Sequence, residues 1–176
     1  MLNSKTKKIL PIPQGYTTVT PWIISVNSAK LIDFLKAAFN AEEVEQSRVY
    51  NEDGTIGHVE VHIGNAIVML FDAKEDWPPT PGFIRLFVED SDTVYQKALK
   101  AGATSVTEMT PLFFGDRVGR VSDPLGNIWW IQEHVEDIAH KDFENLAQAP
   151  ASIEAMKYVQ ASLDRELSGR MAHSTK

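Results

Sequence analysis

A chain that contains itself twice is constrained to fold as a pair of similar units, and this sequence meets itself at a shift of 62 positions. At that shift Gly57 falls on Gly119, Val59 on Val121, Gly64 on Gly126 and Asn65 on Asn127. Val26, Ala41 and Val44 likewise fall on Val88, Ala103 and Val106, and no gap is needed between Pro21/Phe83 and Asp72/His134. The order of local signals repeats as well. Runs rich in β-branched and aromatic residues, "PWIISV" and "FIRLFV", read as strands. The breaks "NSA" and "EDSD" supply N-cap residue types. "KLIDFLKAAF" and "TVYQKALKAG" then carry apolar residues at helical spacing, with Gly102 as a C-cap. Strands follow around residues 43–50 and 105–109. Asp53-Gly54 is a hairpin signal, "HVEVHI" is the next strand, and "AIVMLF" and "IWWIQE" close the two copies. Each half is therefore βαβββ.

The repeat sets the domain plan. A single domain spans residues 18–138, with one module at about 18–73, a proline-rich linker at 74–81 and a second module at about 82–138. A flexible tail, residues 1–17, precedes it, and a helical extension, residues 139–176, follows. In the extension Ile153, Met156, Val159 and Leu163 form one stripe and Gly169 reads as a stop. That stripe suits either a cover over this chain's own cleft or a partner subunit.

Charge and composition narrow the partners. The net charge is −7 and the Lys and Arg residues do not cluster, which argues against nucleic acid. The absence of cysteine removes disulfides, thiol catalysis and thiolate metal sites. No apolar run approaches the roughly 20 residues that span a bilayer. Pro11 and Pro13 break the first apolar stretch, which does not read as a signal peptide, so a cytoplasmic protein is expected.

The paired modules, with "DPLGNIWWIQE" closing the second, resemble the vicinal oxygen chelate superfamily of glyoxalase I, bleomycin-resistance proteins and extradiol dioxygenases. "VTPWIISVNSAKLIDFLKAAFNAEEV", "HVEVHIGNAIVMLFD" and "GDRVGRVSDPLGNIWWIQEHVED" are most similar to its PhnB-like subgroup. The resemblance implies an α+β fold: two tandem βαβββ modules forming curled mixed sheets around a cleft, plus the C-terminal helix. In the catalytic branches it also implies a divalent metal on His, Glu or Gln from the first and last strands of each module, acting as a Lewis acid. Carried over by register, those positions fall at Pro21, Phe83, Val68 and Trp130, and none can donate to a cation. A slip of one residue offers Thr20 and Gly82, which is no better. No cofactor is therefore expected. The alternative is a divalent metal on relocated ligands, His58 and Glu60, which share a strand face with His62. His58 and His62 would stand roughly 13 Å apart, so other strands would have to complete the shell.

Strand alternation assigns the faces. Ile24, Val26, Leu86, Val88, Ile67, Met69, Trp129 and Ile131 are expected to pack under helix stripes of Leu31, Ile32, Leu35 and Phe39, then Val94, Ala98 and Leu99. Ile23, Phe83, Arg85, Phe87, Val68, Leu70, Trp130 and Gln132 are expected to face the cleft, joined by His58, Glu60, Arg120 and Ser122. Arg85 lies between Ile84 and Leu86, where a charge needs either a carboxylate partner or an anionic ligand. Asp123-Pro124 reads as turn chemistry rather than catalysis. The candidate ligand-binding residues are thus Arg85, Trp130, Phe83, His58, Gln132 and Arg120. The leading function is metal-free binding of a small organic molecule in an apolar, aromatic cleft by a homodimer, with the acidic surface drawing cationic ligands. The alternatives are a metal-dependent lyase, isomerase or dioxygenase with relocated ligands, and a non-enzymatic regulatory or interaction module.

Overall fold

The computed structural model describes residues 9–78 and 80–174. The first module runs β1 (Trp22–Ser25), α1 (Ser28–Phe39), β2 (Glu42–Glu43), β3 (Val49–Tyr50), β4 (Ile56–Ile63) and β5 (Ala66–Asp72). The second runs β6 (Phe83–Phe87), α2 (Ser91–Lys100), β7 (Thr104–Leu112), β8 (Asp116–Ser122) and β9 (Ile128–His134). Helices α3 (Phe143–Ala147) and α4 (Pro150–Ser174) follow. One sheet has the order β1-β5-β4-β2, with β3 also on β4, and the other has the order β6-β9-β8-β7. In each sheet the opening strand pairs parallel with the closing strand and the other pairings are antiparallel. This is the expected α+β architecture of two βαβββ modules with a C-terminal helix.

The helices start and stop where local chemistry dictates. Asn27 and Asp90 accept hydrogen bonds from the backbone N–H groups of Lys30 and Thr93, satisfying donors that the first turn leaves free. Both helices end on a left-handed residue, Asn40 at φ 52° and Gly102 at φ +102°. The next N–H then reaches back, Ala41 to the Leu35 carbonyl and Ala103 to the Ala98 carbonyl. A carboxylate from each closing strand also holds each helix start. Asp72 accepts from Ser28 N at 2.6 Å, and Glu133 accepts from Ser91 N at 3.0 Å and Ser91 Oγ at 2.6 Å.

These carboxylates expose an error in the gapless register. Leu70 and Ile131, each two residues before its carboxylate, are both buried in the core, which sets the closing strands 61 residues apart. Ile23 pairs with Leu70 and Leu86 with Ile131, so the opening strands are 63 apart. Val59 lies opposite Leu70 and Gly119 opposite Ile131, so β4 and β8 are 60 apart. The loop between β8 and β9 absorbs part of the difference. The duplication is real, but each strand has slipped by one or two positions.

The slip reverses the expected faces of β1 and β5, while β4 keeps its expected face. Ile23, Val68 and Leu70 join the core with Val59, Val61 and Ile63, while Ile24, Ile67 and Met69 lie on the other face and Val26 is exposed. In the second module Leu86, Val88, Trp129 and Ile131 pack inward as expected. The physical reason is that β5 reads "AIVMLF", apolar on both faces, and a one-residue shift in such a strand costs the sequence pattern nothing. Both helices and the inward faces of both sheets share one core, in which Phe39 of α1 meets the fully buried Trp129 of β9 with ring centroids 4.9 Å apart.

Three other expectations are corrected. The strand at residues 43–50 is interrupted: Gln46 adopts φ 61° and the Ser47 hydroxyl bonds the Val44 carbonyl, leaving only β2 and β3. Gly169 does not stop α4, since a glycine inside a helix costs only about 1 kcal/mol and here lacks a capping geometry. The C-terminal extension covers its own chain. Tyr158 Oη accepts from Glu108 N at 2.9 Å, Ser162 Oγ bonds Thr107 Oγ1 at 2.7 Å, and Val159 is buried against Leu112 and Val118. Residues 1–8 of the expected tail, Pro79 of the linker and residues 175–176 lie outside the described residues. The last part of the 1–17 segment crosses the first sheet, where Tyr16 Oη donates to Glu60 Oε2 at 2.6 Å.

Candidate functional site

On the face of the second sheet away from α2, neighbouring strands place Arg85, Trp130 and Arg120 side by side. The Arg120 guanidinium carbon lies 3.9 Å from the centroid of the Trp130 ring, and that of Arg85 lies 4.3 Å from it. Both contacts are of the cation–π kind. Arg120 is only 3% exposed. Its Nη1 donates to Thr107 Oγ1 at 3.1 Å and to the Val159 carbonyl at 2.7 Å, both neutral acceptors. Burial, and then the nearby Arg85 charge, push the Arg120 pKa below its ordinary value. Among the described residues neither Arg120 Nε nor the buried Trp130 Nε1 has a hydrogen-bond partner. These side chains, with Phe83, Ile84, Ile128 and Leu163 of α4, line a pocket of about 210 Å³.

Of the residues singled out in the sequence, Phe83, Arg85, Arg120 and Trp130 come together here. Gln132 lies on the same face further along β9, where its Nε2 donates to Asp116 and its Oε1 has no partner. His58 is elsewhere, on the first sheet. Thr107, Ile128 and Leu163 were not singled out as site residues. Leu163 stood on the apolar stripe of the extension, but where that stripe docks was not readable. Arg85 meets no carboxylate at salt-bridge distance among the described residues, which leaves the anion side of its two expected partners open.

The matching row of the first sheet is Trp22, Met69 and Glu60. Glu60 is buried and both its oxygens are engaged: Oε1 lies 3.2 Å from His58 Nε2 and Oε2 accepts from Tyr16. That hydrogen bond, reinforced by burial and the Glu60 charge, raises the Tyr16 pKa and keeps its proton in place. Trp22, Phe71 and Trp77 continue the face as an edge-to-face series, with centroids 5.6 and 6.1 Å apart.

The divalent metal of the catalytic branches does not fit these residues. With the corrected register the paired positions are Thr20 and Phe83, then Met69 and Trp130, which offer no imidazole or carboxylate. Val68, expected at a ligand position, is buried in the core. On the second sheet two guanidiniums would repel a cation. His58 and Glu60 bond each other, and no group of three or more His, Asp or Glu among the described residues is placed to hold an ion.

A larger hollow of about 1390 Å³ lies between the β3–β4 hairpin, the linker and the end of α4. Its main polar groups already serve the fold. Asp72 accepts from Ser28 N and Ile56 N, and Asp53 from Thr55. Arg170 bonds Glu166, Ser122 and the Gly126 carbonyl. The smaller pocket, with its unpartnered donors, is the better candidate. Asp123 belongs to the fold as well: it accepts from Leu125 N, Asn127 N, Asn127 Nδ2 and Trp129 Nε1 at 2.8–3.0 Å. Asn127 in turn accepts from Gly82 N at 2.7 Å and ties the turn to the start of β6.

The profile of the Glyoxalase/Bleomycin resistance protein/Dioxygenase superfamily matches residues 18–131, ending before α4. An uncharacterized protein of Mycobacterium bovis is 37% identical over 131 residues, covering 68% of this chain and 85% of that protein. Among solved structures, TioX from Micromonospora sp. ML1 has a similar fold, with 22% identity and a TM-score of 0.56 over 68% of this chain and 99% of that one. The PhnB protein of Bacillus cereus is similar at 18% identity and a TM-score of 0.50, over 66% of this chain and 99% of that one.

Proposed function

The chain belongs to the glyoxalase/bleomycin resistance protein/dioxygenase superfamily, and from that premise we propose that it binds a small organic molecule between β6, β8, β9 and α4 without the divalent metal of the catalytic branches. The observation that carries this reading is the Arg85–Trp130–Arg120 row, two guanidiniums on one indole with no carboxylate at salt-bridge distance among the described residues, set between apolar walls. It is a binding role rather than a catalytic one. No nucleophile, general base or metal ligand lines the pocket among the described residues.

The protein works as a homodimer in the cytoplasm. Trp22, Phe83 and Phe87 are 60–65% exposed on the outward faces of the sheets, an apolar surface that a second copy would cover. No helix among the described residues is long and apolar enough to cross a membrane. Sedimentation should therefore give twice the monomer mass, and a monomer at micromolar concentration would refute the dimer.

Elemental analysis of the purified protein, with Ni, Zn, Mn and Fe each added back, tests the metal-free reading. The expected result is no stoichiometric metal, together with saturable tryptophan quenching by members of a small-molecule library. Tight metal that disappears in the His58→Ala/Glu60→Ala double variant would instead establish the relocated-ligand enzyme.

A further inference from the structure

The sign of charge in the pocket runs against the sign of the whole chain. The protein carries −7, yet no Asp or Glu lines the pocket among the described residues, and two arginines do. Long-range attraction would favour cationic ligands, but contact electrostatics dominate at hydrogen-bonding range, where water is excluded. A buried guanidinium without a counter-charge is costly, and a second guanidinium on the same ring adds repulsion. The Trp130 π-face and the Thr107 and Val159 acceptors offset part of this cost. Among the described residues they leave Arg120 Nε and Trp130 Nε1, both buried, without acceptors.

We infer that the pocket takes an organic oxyanion, a carboxylate or phosphate on a compact apolar body, held by the Arg85 and Arg120 guanidiniums that stack on Trp130. One oxyanion neutralises guanidinium charge that no carboxylate among the described residues compensates. Phe83, Ile128 and Leu163 receive the apolar body. About 210 Å³ sits below the usual range for drug-sized ligands, so the body is no larger than roughly a single substituted ring. Because α4 supplies Leu163 and the Val159 carbonyl, it forms one wall of the site.

This inference rests on the pocket reading above, and its test separates the two. Tryptophan quenching and calorimetry are run on the full chain with benzoate, phenyl phosphate and neutral benzamide. At least one anion should bind at least about tenfold more tightly than benzamide, and the tighter of the two assigns carboxylate or phosphate. Arg85→Met, at an exposed position, should remove most of that preference, the affinity ratio of anion to benzamide falling toward one. Arg120→Met should do the same if it folds, but the Arg85 variant decides alone. Equal binding of benzamide and both anions overturns the anion inference while the pocket reading stands. So does unchanged anion affinity in Arg85→Met. No saturable response to either anion up to about 10 mM also overturns it, and the library screen then decides the fate of the pocket reading separately.

Discussion

Trp22, Met69 and Glu60 on the first sheet stand where Arg85, Trp130 and Arg120 stand on the second. Behind both rows the duplicated core is closely similar: Val61, Val68 and Leu70 in one module, Val121, Trp129 and Ile131 in the other. In front, the chemistry is opposite. The charge on the first row is satisfied within the chain, since Tyr16 and His58 engage both oxygens of Glu60. The charge on the second is not, because among the described residues Arg120 donates only to neutral oxygens and Arg85 meets no carboxylate at salt-bridge distance. Inward faces diverge slowly because close packing punishes every change. Outward faces are freer, and the one left with unmatched donors is the one equipped to bind.

Six substitutions break or sharpen this contrast. Trp129→Ala, in the shared core, should cost about 3–5 kcal/mol by urea unfolding, while Met69→Ala on the outward face should cost roughly half as much or less. Equal losses would mean that the two faces are not distinct. Asp123→Ala should cost about 2–3 kcal/mol, because Trp129 Nε1 and Asn127 N lose their acceptor inside the protein. The first module joins its strands through Gly64-Asn65 without such an aspartate, so Asn65→Ala should cost well under 1 kcal/mol. Glu60→Gln should cost about 1 kcal/mol and leave anion binding unchanged, whereas Arg85→Ala should weaken anion binding about tenfold with little effect on stability.

The smallest effect concerns Glu133. Hydrogen bonds from the Ser91 hydroxyl and backbone N–H hold its carboxyl below the usual glutamate range. A carboxyl whose pKa is depressed by folding stabilises the protein above its unfolded pKa and loses that effect as pH falls through the folded value. Glu133→Gln should therefore lower Tm near neutrality, and the gap to the parent should close in acid. A gap that is constant with pH would show that packing, not ionisation, makes Glu133 useful.

Much of this was legible in the sequence because it depends on local signals. Caps at Asn27 and Asp90, a left-handed stop at Gly102 and the Asp123 turn are set by neighbouring residues, and the order of elements followed from them. Register was not legible in β5, where apolar residues on both faces leave a one-residue slip without a signal. In β9 the polar Gln132 beside Trp129 and Ile131 fixed the phase, so the second module's faces, and with them Phe83, Arg85, Arg120 and Trp130, were placed together from pattern alone. His58 fell to the other sheet because strand alternation says which side a residue faces, not which sheets meet. The contribution of α4 was hidden because, among the residues whose side chains are described, its deeply buried ones are Val159 and Ser162, too few to fix a docking face.

The four indole N–H groups provide a direct reading of which row binds. In ¹H–¹⁵N spectra recorded during titration with the tighter-binding anion, the Trp130 resonance should shift strongly, because the two guanidiniums that take the anion stack on its ring. Trp129, bonded to Asp123, and Trp22 and Trp77 on the first face should stay in place. Movement of Trp22 or Trp77 with a stationary Trp130 would put the ligand on the first sheet and contradict the account.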